Sequence, residues 1–206
     1  MARGWRGNPP LNDEEARARI VAATLRCVER YGPEKTGLSD VATELGVTRQ
    51  TVYRLFASTD ELLAAVGRTA AGRYLDRLER HVAALTEPAD AIIEAIAYTF
   101  ERLPRERDMV LLLTAGRSEV FLKGVTSADG IAFGRAMVAR MNVDWQVHGF
   151  DDAALDGLVE FALRVLQSLV LDPPTPKRTR AQLRAFLSRW VAPAIRGVSA
   201  RASVPT

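Results

Sequence analysis

The chain has 206 residues, 48% of them hydrophobic and 26% charged, a composition that supports a packed core and excludes intrinsic disorder. Its 28 basic and 25 acidic side chains give a net charge of +3, which is too small to indicate a polyanionic partner by itself. The single cysteine, Cys27, excludes an intrachain disulfide, and neither a membrane-spanning apolar stretch nor a signal peptide is evident, so the sequence predicts a cytoplasmic protein without a membrane partner.

Apolar residues recur three or four positions apart through most of the chain, and no sustained apolar/polar alternation occurs, so the pattern predicts an all-α fold. Glycines and prolines divide the pattern into about nine helices. The expected ranges are 13–31, 38–45, 49–55, 59–85, 88–103, 105–115, 128–146, 151–171 and 178–197. The first ten and last ten residues are expected to be frayed tails.

The helix predicted at 59–85 separates three short helices from longer ones. We therefore expect two helical domains, residues 1–58 and residues 59–206, with the long helix continuing from the first into the second.

Residues 41–56 have the pattern of a helix-turn-helix. Gly46 lies where the tight turn requires a positive φ, Ala42 is small where the two backbones approach, and Thr48 can cap the second helix. Apolar residues occupy the positions where two crossing helices must touch: Val41, Leu45, Val47, Val52 and Leu55.

The remaining positions of the second helix are polar: Arg49, Gln50, Thr51, Tyr53 and Arg54. They supply two cations, an amide that can pair bidentately with adenine, and hydroxyls that can bind phosphate, which favours an element that enters the major groove of DNA. An ordinary helical hairpin inside a core is the alternative. In that case the residue types at the exposed positions of the second helix would be arbitrary.

The flanking segments make the pattern more specific. Residues 19–23, 31–32, 36–42 and 52–62, together with the motif, resemble the amino-terminal domain of the TetR family of bacterial transcription regulators over about residues 17–66. The resemblance implies that helix 49–55 enters the major groove, that Arg49 and Gln50 read bases, and that Thr48, Thr51, Tyr53 and Arg54 contact phosphates. It also places Thr36 and Ser39, at the start of the preceding helix, in the DNA-binding set.

Two positions depart from the family pattern. Ser39 stands where the family often has Arg, so that helix is expected to make a shorter contact, and Thr59 stands where the family usually has Lys, which removes one phosphate contact. Ser58 and Glu61 keep the spacing of a capping box for the next helix. Arg3 and Arg6 either reach an adjacent minor groove or belong to a disordered start.

One reading helix covers half an operator, so recognition of double-stranded operator DNA by this motif requires a dimer. The expected homodimer interface is formed by helices 151–171 and 178–197, because the first is apolar on nearly all sides and the second carries a broad apolar stripe. The family pairs these two helices with their copies as a four-helix bundle. A wholly intramolecular core is the alternative.

Large apolar side chains between the motif and the last helices form the expected effector site: Tyr98, Phe121, Phe133, Met137, Met141 and Trp145. Spacing alone favours plain core for each of them, with the last four on one face of helix 128–146. The resemblance points instead to a pocket among helices 59–85, 88–103 and 128–146 for a hydrophobic small molecule, such as a lipid or fatty acyl compound.

Catalytic patterns are missing from the sequence: it has two histidines, no metal-ligand cluster, no Gly-rich phosphate loop and no nucleophile elbow. We expect no enzyme activity, no catalytic or metal-binding residue and no cofactor. Two functions remain open, a DNA-binding repressor released by a ligand, and a helical ligand-binding or interaction protein with weakened DNA recognition.

Overall fold

In a computed structural model, residues 4–32, 35–103 and 127–202 are described, the last four as backbone only. These residues form nine α-helices, one short 3-10 helix at Gly4–Gly7 and no strand, which confirms the all-α prediction. The α-helices are numbered in chain order. The segments are Asp13–Tyr31 (α1), Leu38–Leu45 (α2), Arg49–Leu55 (α3), Thr59–Val82 (α4), Pro88–Arg102 (α5), Ala128–Val138 (α6), Asp152–Leu171 (α7), Arg180–Trp190 (α8) and Ala192–Ala202 (α9).

The helices up to α5 start where the sequence pattern places them, because their caps are local. Asn12 accepts a hydrogen bond from the Glu15 N–H at the start of α1, and the carboxylate of Asp40 accepts one from the Gly37 N–H before α2. Pro88 begins α5, where its missing N–H leaves no hydrogen bond unmade. The helix expected at 105–115 lies outside the described residues.

The prediction of a single helix over 128–146 is wrong, because α6 ends at Val138. The indole N–H of Trp145 donates to the Val138 carbonyl at 3.2 Å, and Asp144 accepts from the Val147 N–H at 3.1 Å. These bonds satisfy the end of the helix and close a turn instead of continuing it.

The carboxy-terminal part also differs from the expectation. The helix predicted at 178–197 is interrupted at Val191, two residues before Pro193, which has no N–H to donate to the preceding turn. Beyond the interruption, α9 continues to Ala202, so the described part of the expected frayed tail is helical.

The described residues divide into two compact units, and a boundary between these units falls between Arg73 and Tyr74, inside α4. The core of the amino-terminal unit is built from α1, α2, α3 and the beginning of α4, with Ile20, Val41, Val52 and Leu62 essentially inaccessible to solvent. Cys27 lies in this core as the sequence pattern predicts, and burial raises the pKa of its thiol.

The carboxy-terminal unit is organised around α5, which contacts α7, α8 and α9. Its residues from Ala95 to Thr99 are all buried, and the hydroxyls of Tyr74 and Thr99 are hydrogen bonded to each other inside the unit. Helices α6 and α7 also contact each other, at a point where α6 carries Gly134.

The expectation of a frayed start is wrong for residues 4–8. Gly4–Gly7 form a tight turn in which Trp5 and Arg6 adopt left-handed φ angles of 60° and 52°. Such angles cost an L-residue roughly 1–2 kcal/mol each, so surrounding contacts must hold them. Trp5 packs against the amino-terminal core, and Arg19 donates to the carbonyl of Asn8 at 2.5 Å.

Among the helices that the structure describes, none combines the length and the apolar composition needed to cross a lipid bilayer.

Candidate functional site

Helices α2 and α3 are joined by a tight elbow. Gly46 has a φ of 66°, and its N–H donates to the Thr43 carbonyl at 3.1 Å, while the Val47 N–H donates to the Ala42 carbonyl at 3.0 Å. The two bonds satisfy the last carbonyls of α2, as expected when a left-handed glycine ends a helix. The elbow forms the turn that the sequence pattern predicts.

The start of α3 is fixed by two threonines. The hydroxyl oxygen of Thr48 accepts from the Thr51 N–H at 3.2 Å, and the two hydroxyls lie 2.9 Å apart. Thr48 is therefore the N-cap, in agreement with the sequence analysis. Because a hydroxyl also has further lone pairs, both side chains can still bind an external group.

One face of α3 is buried and the other is presented to solvent. Val52 and Leu55 lie in the core, whereas Arg49 and Gln50 are exposed and Tyr53 is 53% exposed. Within the part of the chain that the structure describes, Arg49 and Gln50 have no ion pair or hydrogen bond from their side chains. Three side chains with DNA-binding chemistry are thus free at one surface.

Arg54, also predicted to contact phosphate, is engaged within the protein. Its Nη2 lies 2.8 Å from Oδ1 of Asp13, and its Nη1 lies 3.3 Å from Oδ2. Both side chains are more than half exposed, so the pair can exchange for a phosphate at little cost.

Thr36 does not fit the predicted DNA-binding set. Its side chain is buried, and its hydroxyl donates to the Gly32 carbonyl at 2.8 Å, so it supports the chain before α2. Ser39 is half-buried, and its carbonyl accepts from the Thr43 hydroxyl at 3.0 Å.

Sequence analysis missed the side chains around this surface that come from α1. Asp13 neutralises Arg54, and the Arg17 guanidinium lies 4.8 Å from the centre of the Phe56 ring and 3.6 Å from the Glu61 carboxylate. These partners are about 40 residues apart in sequence, so no local pattern reports them. The predicted cap of α4 is present, with the Glu61 N–H donating to Ser58 at 3.1 Å.

The predicted effector residues do not form one helix face. Phe133 and Met137 lie on α6 and are partly buried, but Met141 and Trp145 lie beyond its end. Trp145 packs edge-on against Phe150, with ring centres 5.6 Å apart, and this contact makes it part of the local core. Phe121 lies outside the described residues.

Tyr98 is also occupied by protein contacts. Its ring stacks on His81 at 4.2 Å between centres, and the Arg102 guanidinium lies 5.4 Å from the ring centre. His81 in turn is hydrogen bonded to Glu94 at 2.6 Å.

A small apolar cavity of about 40 Å³ lies among α5, α6 and α7, lined by residues that include Ile96, Met137 and Val159. The sequence analysis predicted a pocket among α4, α5 and α6, whereas this cavity is lined by α5, α6 and α7. Such a volume holds about one to three waters and is far below the size of a drug-like ligand site.

No metal-binding cluster is found within residues 4–32, 35–103 and 127–202: no three His, Cys, Asp or Glu side chains come together as metal ligands would. One cluster of charged groups is formed by Arg184 with Glu94 and Glu101, which pair with it as ions.

Comparisons with known proteins agree with the geometry of the elbow. Residues 20–66 match the model of the family described as bacterial regulatory proteins, tetR family. A relative from Mycobacterium tuberculosis, described as an uncharacterized HTH-type transcriptional regulator, is 25% identical over 199 residues, covering 92% of this chain and 90% of its own. A relative of the same description from Mycobacterium bovis is 28% identical over 100 residues, covering 45% and 47% of the two chains.

Solved structures are similar in fold over most of the chain. The TetR family repressor AlkX from Dietzia sp. superposes with a TM-score of 0.60 at 17% identity, covering 91% of this chain and 99% of that one. RolR, solved as a complex with resorcinol, has a TM-score of 0.55 at 14% identity, covering 94% and 97%. Residues 20–66 therefore match the DNA-binding module of the tetR family, the relatives in sequence are described as transcriptional regulators, and the fold is similar to that of solved TetR-family proteins.

Proposed function

We propose that the protein is a homodimeric repressor that reads operator DNA with α3 and is released by a hydrophobic small molecule. The observation that carries the proposal is the exposed face of α3, on which Arg49 and Gln50 have no partner within the described residues. Protein side chains of this chemistry that face solvent on a short, rigid helix are suited to base edges in a major groove.

We assign a role to each polar side chain of α3 from the hydrogen bonds that it can form with DNA. Arg49 and Gln50 read bases, since an Arg can bind guanine and a Gln adenine through two hydrogen bonds each. Phosphates are contacted by the remaining polar side chains, with Ser39 making a short contact from α2. These are Thr48, Thr51, Tyr53 and Arg54.

The proposed dimer uses α7 and α8. Large apolar side chains remain open on both helices: Phe161 is 38% exposed on α7, and Trp190 is 64% exposed at the end of α8. Leu183 and Leu187 of α8 are buried within the protomer, so they are not available to a second copy. Recognition of two half-sites by the proposed dimer requires that its two α3 helices lie about 34–36 Å apart, which is one turn of DNA.

The effector proposal draws on the solved relatives. AlkX is described as a repressor implicated in the biodegradation of n-alkanes, and RolR was solved with the small aromatic ligand resorcinol, which supports a small organic molecule as the proposed effector. In this chain the space among α5, α6 and α7 is about 40 Å³, so a larger molecule that enters there must move these helices apart.

Helix α4 runs from the amino-terminal unit into the carboxy-terminal unit, and it supplies a route for coupling. Leu62 and Val66, near its start, are buried in the core of the amino-terminal unit, so a displacement of the far end of α4 acts on that core. A coupling free energy of about 1–3 kcal/mol would lower operator affinity about 5–150-fold. The regulator would act in the cytoplasm, where bacterial operator DNA is found.

Footprinting on the DNA upstream of its own gene tests the DNA-binding half. We expect a protected site of two half-sites that disappears in the Arg49→Ala, Gln50→Ala double variant, since each lost bidentate contact costs roughly 1–3 kcal/mol. Arg73→Ala, which removes an exposed cation from α4 about 21 Å beyond its start, is the matched control and should footprint like wild type.

The same footprint, repeated with fatty acids, acyl esters and n-alkanes, tests the effector half. Loss of protection with one of these at saturation supports release by a hydrophobic ligand. Protection that persists although the ligand demonstrably binds would refute it, and ligand binding without any DNA site would favour a helical ligand-binding protein.

A further inference from the structure

The segment Gly4–Gly7, which we call the arm, lies across the elbow between α2 and α3. The Nη2 of Arg6 donates to the Glu44 carbonyl in the last turn of α2 at 2.7 Å. Trp5 packs against the amino-terminal core, whose partly buried neighbours include Leu45 and Val47. The arm is therefore held by one hydrogen bond, from Arg6, and by apolar packing of Trp5.

The arm also covers the backbone of the turn itself. A Cβ atom built on Gly46 would lie 3.5 Å from Cγ of Arg6 and 3.8 Å from its backbone nitrogen. A Cβ atom built on Gly4 would lie 3.9 Å from Cγ1 of Val47. All three distances are in the ordinary van der Waals range, so the arm lies directly beside Gly46 and Val47, the two residues that set the angle between α2 and α3.

The conformation of the arm is specified and not incidental. Two consecutive residues with side chains, Trp5 and Arg6, hold left-handed φ angles, which unconstrained L-residues rarely adopt. The end of the turn is tied to α1, because Arg19 donates to the Asn8 carbonyl at 2.5 Å. Contacts on both sides thus outweigh the intrinsic preference of the backbone.

Glu44 connects the arm to α1 through the elbow. Its carboxylate lies 3.0 Å from Arg26 and 3.7 Å from Arg30, both on α1, while its backbone carbonyl accepts from Arg6. The hydrogen bond from Arg26 lowers the pKa of Glu44 and keeps it ionised. The last turn of α2 is held by three guanidinium groups, one of which comes from the arm.

We propose that the arm is a brace for the reading helix: Trp5 and Arg6 are positioning residues that hold the elbow, and therefore α3, in the orientation that fits the major groove. Arg6 then acts on the protein and not on a phosphate or a minor groove. The inference rests on the proposed reading of operator DNA by α3.

The test compares the specific and the non-specific DNA affinity of the full chain, because the two respond differently to a brace and to a direct contact. Trp5→Ala and Arg6→Ala are measured by fluorescence anisotropy on the footprinted operator and on scrambled DNA over a salt series. Trp5→Phe keeps an apolar ring at the elbow, and Arg73→Ala removes an equal charge elsewhere.

A brace predicts that both alanine variants lose at least about fivefold in operator affinity, with the salt slope and the scrambled-DNA affinity unchanged. Trp5→Phe should recover most of the loss. If Arg6→Ala instead lowers the salt slope by about 0.9 and weakens both DNAs equally, Arg6 contacts a phosphate and the proposal is wrong. Unchanged operator affinity in both variants would also overturn it.

Amide hydrogen exchange separates this proposal from the proposed function. Trp5→Ala should speed exchange at residues 46–52 with little change in α5, whether or not DNA is present. Faster exchange with no operator found would leave the arm as a support of the elbow and refute only the DNA-reading function. Unchanged exchange would refute the brace itself.

Discussion

Arg54 of α3 and Asp13 of α1 form an ion pair, with Nη2 and Oδ1 2.8 Å apart, at the edge of the surface that carries Arg49 and Gln50. The pair links the first turn of α1 to the last turn of α3. It also places a carboxylate beside a group that we assign to a DNA phosphate.

Removing that carboxylate should strengthen DNA binding. In Asp13→Asn, Arg54 no longer has an internal competitor and the repulsion of phosphate is gone, so we expect a few-fold rise in affinity for any duplex at low salt. The free energy of unfolding should change by less than about 1 kcal/mol, because the pair is exposed. Anisotropy titrations and urea unfolding measure the two quantities.

Glu29→Gln is the control for Asp13→Asn. It removes an exposed carboxylate from the other end of α1, roughly 24 Å along the helix, and should leave affinity near wild type. Equal affinities of Asp13→Asn and wild type would show that Asp13 does not compete with DNA for Arg54.

The ion-pair cluster around Glu94 should make stability depend on pH. Burial opposes ionisation of Glu94, but hydrogen bonds from Arg184 and His81 outweigh it and hold the pKa of Glu94 below its ordinary value of 4.5. Since the folded state favours the ionised form, the contribution is complete above pH 4.5 and is lost as the pH falls through the lowered pKa.

Glu94→Gln should therefore reduce the free energy of unfolding at pH 7 by about 1–3 kcal/mol, because Arg184 loses a bidentate partner. Its unfolding midpoint should also fall less steeply than that of wild type below pH 4.5. Glu87→Gln, at an exposed position before α5, should keep the wild-type pH profile. Parallel profiles for Glu94→Gln and wild type would contradict the assignment.

Gly134 marks a close approach of α6 and α7. A Cβ atom at this position would overlap with Cγ1 of Val159, a stiff β-branched side chain that is itself buried. Gly134→Ala should therefore destabilise the protein by roughly 1–3 kcal/mol, although alanine is the better helix former. Thermal unfolding followed by circular dichroism measures the change.

Gly72→Ala provides the comparison for that substitution. Gly72 is also helical, but nothing lies within 4 Å of a Cβ built on it, so the change should stabilise the protein by up to about 1 kcal/mol. Opposite signs for the two variants are the expected result. A gain in stability from Gly134→Ala would show that α6 and α7 can separate freely.

The open apolar face on α7 and α8 should govern oligomeric state. Phe161→Glu and Trp190→Glu each place a charge where the proposed second copy would bury a ring, so we expect a shift toward monomer in sedimentation velocity and a loss of operator binding. Leu11→Glu, at a 93% exposed site in the amino-terminal unit, should leave the dimer intact. A wild-type monomer at micromolar concentration would refute the interface.

The elbow between α2 and α3 could be predicted because local interactions determine it. The left-handed Gly46 and the Thr48 cap each act within four residues, and α3 has the bounds that their positions indicate. The exposure of Arg49 and Gln50 follows from the same helix period, because Val52 and Leu55 must face the core.

Long-range contacts account for what the sequence did not show. The bond from Arg6 to Glu44 spans 38 residues and the pair of Arg54 with Asp13 spans 41, so neither leaves a periodic signal. The end of α6 was missed because Trp145, four positions beyond Met141, continues an apolar helical period although its indole instead closes a turn.

Cys27 has a practical consequence for spectroscopy. It is the only thiol in the chain, it is 2% exposed, and burial raises its pKa, so it should react slowly with maleimides. A cysteine introduced on the solvent side of α3 could then carry a fluorophore in the otherwise natural sequence. Distances between the fluorophores on the two subunits of a dimer, measured with and without candidate inducers, would report directly on the separation of the two α3 helices.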